Sequence, residues 1–413
     1  MPSPAAARVP WKGQRSIPAL FVRSGTSNGL VLRASDLPSP SPDDWAAILP
    51  AAMGSPDRVH GRQLDGMGGG VSSTSKVCVL APSRRADADV DFTFVQVGIR
   101  DGRLDVAGNC GNMSAVVGPV AWDWGFVPEG ERAGRVRRVS PTGARGEGEG
   151  EGGEGEGEYK EALVRVFNTN TSKVLHARFR VAGDPPVYCA AGAYEMDGVP
   201  GRQSRIALRF ADPAGAKTGR GALPTGNPVD ALALPGGGAV RASLVDVANP
   251  GVFVEAAGLG LGLGGPDELT PAAVEADAAL KTRLEAIRRA GAERMGLDPE
   301  VQSVPKIVLL FPRDDEDVGV DVRCLAMSMG QAHKAVPLTL ALCLGAAANI
   351  EGTVAAQVRR RRKGGDGDGS SSSVVIGHPS GTVEVDATFE DGKIVSADLH
   401  RTARILMKGE VYY

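Results

Sequence analysis

Five shortages in the 413-residue chain each remove a class of function. Aromatic residues make up only 5%, so stacking on sugars or bases is not its main mode of recognition. There is no basic excess: 46 Lys and Arg stand against 49 Asp and Glu, a net charge of −3. A phosphate-neutralising nucleic-acid partner is thereby excluded. The five cysteines are odd in number and show no CxxC spacing, which fits a reducing compartment without zinc or a disulfide framework. The five histidines are scattered singly, so no metal ligand set is expected. No apolar run approaches the ~20 residues of a membrane span, because Gly, Pro or charge interrupts each candidate.

Glycine is plentiful, at 56 residues. Part of the excess is low complexity: GEGEGEGGEGEGE (146–158) repels itself and can bury nothing, and RRRRKGGDGDGSSSS (359–373) runs from basic to acidic to serine-rich. Both are expected to be disordered surface insertions. The first 14 residues read as a disordered tail of a cytoplasmic protein. Arg8, Lys12 and Arg15 in an acid-free start make a mitochondrial targeting segment the alternative.

Alternation and β-branched residues predict strands at 17–24, 75–82, 90–99, 162–170, 173–183, 204–212, 241–256 and 304–312. Small, periodic apolar residues predict buried helices at 112–127 and 331–358, and amphipathic helices at 42–54 and 270–296. Strands followed by a buried helix that opens on a polar Gly motif occur once in each half. The expected fold class is therefore α+β, with two pseudo-equivalent domains at 15–200 and 201–395. Each would wrap a sheet round a central helix, with the helix starts facing across a cleft, and 396–413 would return to the first domain.

The motifs cluster where that cleft should be. In GNCGN (108–112), Cys110 opens an apolar helix, where the helix dipole and free N–H groups favour thiolate and anion binding. The structural alternative is a small buried Cys capped by Asn109. GMGGGVSSTSKV (66–77) offers close backbone approach at Gly70, hydroxyl donors at Ser72, Ser73 and Thr74, and Lys76 at a strand start. Burial there would favour a neutral amine fit to act as a general base. It lacks the phosphate-loop spacing. SMGQAHKAVP (328–337) opens the second helix and places His333 one turn in. RSGTSNG (23–29) offers Thr26, Ser27 and Asn28 as neutral donors.

Taken with VRVFNTNTSK, SLVDVANPGVFV, PKIVLL, IGHPSG and RTARILMKGEV, these motifs strongly resemble the PrpF family, in family order from about residue 17 to 413. The family comprises 2-methylaconitate cis-trans isomerases, aconitate and methylitaconate Δ-isomerases and 4-oxalomesaconate tautomerases. The resemblance implies the diaminopimelate-epimerase fold and an isomerase that moves a proton along an allylic carboxylate without metal or organic cofactor. Lys76 and Cys110 correspond to the family's essential Lys and Cys. The candidate substrate contacts offered by the motifs are Thr26, Ser27, Asn28, Gly70, Ser72, Ser73, Thr74, Asn109, Gly111, Asn112, Ser328, Met329, Gly330 and His333. A small unsaturated di- or tricarboxylate is the implied partner, and the family suggests a link to an aconitase-like dehydratase; a homodimer is a further expectation. Ser24 and Asn28 replace a family Gly and Lys, which removes one charge-assisted contact if that Lys binds a carboxylate. The rivals are a two-thiol racemase, for which the second helix start lacks a Cys, a tautomerase, and a non-catalytic carboxylate-binding homologue.

Overall fold

The computed structural model describes residues 13–139, 158–235, 237–260, 269–311, 319–359 and 371–413. Most of the N-terminal tail, the Gly/Glu run up to residue 157 and residues 360–370 lie outside them.

Sixteen strands form one continuous ladder. The first seven are β1 (Ser16–Ser24), β2 (Ser27–Arg33), β3 (Lys76–Pro82), β4 (Val90–Val97), β5 (Tyr159–Asn168), β6 (Lys173–Ala182) and β7 (Ile206–Ala211). The next eight are β8 (Asp230–Ala233), β9 (Ala239–Val247), β10 (Asn249–Glu255), β11 (Lys306–Phe311), β12 (Val322–Ser328), β13 (Ser371–His378), β14 (Gly381–Glu390) and β15 (Lys393–Arg401). Last comes β16 (Ala403–Tyr412), which pairs with β1.

Pairing runs β16–β1–β2–β3–β4–β5–β6–β7 in one half and β8–β9–β10–β11–β12–β13–β14–β15 in the other. The sense of each pair matches, with parallel steps at β2–β3 and β10–β11 and again at β4–β5 and β12–β13. The halves join antiparallel through β7 and β15. The C-terminal strand thus occupies in the first half the place that β8 occupies in the second. In this repeat β7, ending at Ala211, and β15, ending at Arg401, hold equivalent places.

Each half holds one central helix, α1 (Gly111–Asp123) and α2 (Leu338–Ala347). Every residue from Gly111 to Trp122 and from Leu338 to Ala347 is buried, which suits helices that are small and apolar on all sides. Helix α1 packs on β1, β3, β5 and β6, and α2 on β9, β10, β14 and β13. The two helix starts meet: a Cβ added at Gly111 would lie 2.8 Å from Leu338 Cβ and 3.2 Å from Thr339 N. Gly111→Ala must therefore push the helices apart. We expect it to cost about 1–3 kcal/mol, read as a melting temperature several degrees lower in calorimetry.

The structure corrects several expected elements. The segment 331–358 is not one helix: Gln331–Ala332 pairs back on β12, α2 starts only at Leu338 after Pro337, and Val354–Val358 is a separate helix. The segment 241–256 folds back at Ala248, which has a φ of 59°, into β9 and β10. The amphipathic pieces break at residues 46–48 and at Asp277. Ser371–Ser373, placed in the second insertion by composition, lie in β13 opposite Thr388–Asp386.

Candidate active site

Two lysines open equivalent strands. Lys76 begins β3 opposite Gly29 of β2, and Lys306 begins β11 opposite Gly251 of β10. Both are buried, at 7% and 6% exposure, and both reach the gap between the helix starts. Lys76 Nζ donates to Gln96 Oε1 at 2.8 Å and lies 5.1 Å from the Phe94 ring centre. Gln96 faces Lys76 on β4, and its Nε2 donates to Ser75 O at 2.8 Å and Ser72 O at 3.2 Å. Its carbonyl oxygen is thereby aimed at the ammonium. Lys306 Nζ donates to Ser303 O at 2.5 Å. Burial, with the charge of Lys76 adding to it, lowers the Lys306 amine to about 8.

Cys110 is the N-cap of α1, yet its side chain caps nothing. Asn109 Oδ1 instead accepts from Cys110 N at 2.7 Å, from Asn168 Nδ2 at 2.9 Å and from Ser114 Oγ at 3.4 Å. The thiol is left partly exposed toward the cleft. Asn112, two residues on, donates from Nδ2 to Thr26 Oγ1 at 3.0 Å and Ser27 Oγ at 3.4 Å. His333 precedes α2 by five residues rather than lying one turn inside it. Its Nδ1 is engaged by the backbone of Ala335. Burial, reinforced by the charge of Lys76, lowers its imidazole to about 4, so it is neutral near pH 7.

Of the residues expected from sequence, Ser27, Ser72, Lys76, Asn109, Cys110, Gly111, Asn112, Ser328, Met329 and His333 line one narrow cleft of about 40 Å3. Thr26 and Ser73 line an outer chamber of about 350 Å3 that shares Ser72, Ser328 and His333 with it. Gly70 borders a separate recess beside Gln96 and Met329. Asn28, Thr74 and Gly330 line none of these spaces. Asn28 follows Ser27 in β2 and so points to the other face, Thr74 Oγ1 turns back to Val71 O at 3.1 Å, and Gly330 forms the turn after β12.

Lys306, Gln96, Phe94, Ser303 and Thr339 also line the cleft and were not singled out from sequence. For Lys306 the signal was present: like Lys76, it is a lysine opening an apolar strand. No carboxylate is among the lining residues, and among the described residues no His/Cys/Asp/Glu group could hold a metal ion. The start of α2 carries no thiol: its N-cap is Pro337, Cys324 is buried with its thiol pushed up to about 12, and the Cys343 thiol donates to Val245 O. Cys78, two residues beyond Lys76 in β3, lies near enough to feel the charge of Cys110, but burial holds its thiol well above the ordinary range.

Two half-sheets, each wrapped on a central helix whose start meets the other's, define an epimerase-type fold. A solved hydroxyproline epimerase from Agrobacterium vitis has this fold, with a TM-score of 0.50 at 17% identity over 98% of this chain and 94% of that one. The chain belongs to the PrpF family, whose model, "PrpF protein", matches residues 14–143 and 158–413, and it is an isomerase. It is 36% identical to 3-methylitaconate isomerase of Eubacterium barkeri over 97% of each chain. It is 37% identical to 4-oxalomesaconate tautomerase of Pseudomonas putida, over 97% of this chain and 96% of that one. The solved structure of a methylitaconate Δ-isomerase gives a TM-score of 0.69 at 35% identity, over 97% and 96% of the two chains.

Proposed function

We propose that the chain shifts or rotates the C=C bond of an aconitate-like unsaturated di- or tricarboxylate by allylic proton transfer, with no organic cofactor. The observation that carries this reading is the pair of buried lysines converging on a cleft whose lining holds no carboxylate. Such a cleft is built for a polyanion, and one of its amines gives up its proton near neutral pH.

Lys306 takes the proton from the carbon allylic to the unsaturated carboxylate. The C–H electron pair spreads over the allylic system onto the carboxylate oxygens. Lys76, held by Gln96 and the Phe94 face in contacts that suit a cation, stabilises that charge together with N–H groups at the two helix starts. The former double bond gains single-bond character and can rotate. Reprotonation at the same carbon exchanges cis and trans, whereas Cys110 delivering a proton to the vinylogous carbon completes a Δ-shift. This division of labour moves the base from Lys76, where sequence reasoning put it, to its partner. A 4-oxalomesaconate-type keto–enol tautomerisation uses the same transfers, and the outer chamber has room for its longer substituent. The product would suit a hydro-lyase that adds water across the relocated bond.

Proton NMR with trans-aconitate in D2O tests the reading. Deuterium is expected in the methylene position, with cis-aconitate appearing. Neither exchange nor turnover across trans-aconitate, its alkyl homologues, itaconates and oxalomesaconate would overturn it in favour of a binding protein.

A further inference from the structure

One buried cation that the mechanism does not use lies beside the site. Arg401, at the end of β15, is 8% exposed and lies outside the cleft lining. No Asp or Glu among the described residues pairs with it. Its Nη1 donates to His400 O at 2.6 Å and its Nε to Asn112 Oδ1 at 3.3 Å. The next residue, Thr402, accepts Gly25 N at 2.9 Å and Arg23 Nη1 at 2.7 Å on its carbonyl. The crossing from β15 to β16 therefore clamps both the Ser24–Ser27 turn and the start of α1. The fit is close, since a Cβ at Gly25 would sit 2.0 Å from Asn112 Oδ1.

A guanidinium only donates, so the oxygen of the Asn112 amide must face Arg401 and its NH2 must face Thr26 and Ser27. Both hydroxyl oxygens then act as acceptors toward Asn112. Each keeps its own hydrogen for another partner, and Ser27 borders the cleft. We propose that Arg401 is a positioning residue which, through the Asn112 amide, turns the Ser27 hydroxyl into an obligatory donor to a substrate carboxylate. The inference rests on the polycarboxylate reading above. It places a specificity determinant for anions in the first half under the control of a strand from the second.

The test measures calorimetric affinity for tricarballylate, a saturated tricarboxylate, together with trans-aconitate turnover. Ser27→Ala and Arg401→Met are each expected to weaken binding about 10-fold, seen in KM with kcat little changed. The double variant should be no weaker than either single one, and Arg401→Lys, which still donates, should recover most of the affinity. Losses that multiply to about 100-fold, or no recovery with Lys, would overturn the relay, because a purely structural Arg401 has no reason to couple to one hydroxyl.

Should Arg401→Met fail to fold, Asn112→Asp carries the same test. A carboxylate pairs with Arg401 but only accepts, so it draws the Ser27 hydrogen out of the cleft. Adding Ser27→Ala must then cost nothing more, and a further 10-fold loss would overturn the relay. A wild type that neither binds tricarballylate nor turns over any of the acids would overturn the polycarboxylate reading itself, and this inference with it.

Discussion

Replacing Lys306 with alanine is expected to lower kcat by at least about 10³-fold and to abolish deuterium uptake, the scale set by removing a positioned base from a desolvated site. In wild type, log kcat/KM should rise with a slope near one as pH increases toward about 8 and then level off, because the neutral fraction of the Lys306 amine grows over that range. Lys306→Arg keeps the charge but cannot accept a proton, and should be as inactive as the alanine variant. Lys76→Arg keeps the cation beside Gln96 and should retain slow turnover with the same pH limb, whereas Lys76→Ala loses the charge as well and falls further. The reverse pattern, with Lys76→Arg dead and Lys306→Arg active, would return the base to Lys76. Proton NMR in D2O reads both rates in one experiment.

Cys110→Ala is expected to cost about 10³-fold in the Δ-shift, with cis–trans exchange retained, while leaving the melting temperature almost unchanged. Stability is spared because of the cap. Asn109, not the thiol, satisfies the Cys110 N–H, so deleting sulfur removes no hydrogen bond from the start of α1. If Cys110 delivers the proton in a Δ-shift, the variant should still wash deuterium into the allylic carbon of a methylitaconate-type substrate and return it unshifted. A higher KM with an unchanged ratio of exchange to isomerisation would instead make Cys110 a carboxylate ligand and remove it from the proton path.

Local signals made much of this protein legible from its residues alone. Alternation in segments such as Leu163–Phe167 and Val174–Phe179 marks strands with one face buried, because side-chain direction has period two. The all-apolar runs after GNCGN and before Asn349 mark helices with no solvent face. GNCGN and GGGVSSTSK marked the family and the first half of the site, since both lie in single stretches where a thiol or an amine meets glycine and hydroxyl groups. The start of α2 was misplaced because helical periodicity cannot tell a polar approach loop from a first turn. Pro337 fixes the boundary, and His333 consequently reaches the cleft from a loop.

Pairing over distance decided the rest. The two halves share an order and sense of strands but no literal repeat, so the equivalence of Lys76 and Lys306 emerges only when β2–β3 and β10–β11 are seen in the same parallel register. Asn28 stands inside a family motif yet faces away from the cleft, because one residue of pleat separates it from Ser27. Arg401 is 289 residues from Asn112 in the chain and touches it because β15 closes the second half against β7 of the first. The sequence alone determined which segments bury themselves and which chemistry is on hand, since both depend on neighbours in the chain. Which two amines line one cleft, and which arginine reaches Asn112 from the second half, depended on contacts between strands far apart in the chain that only the tertiary structure creates.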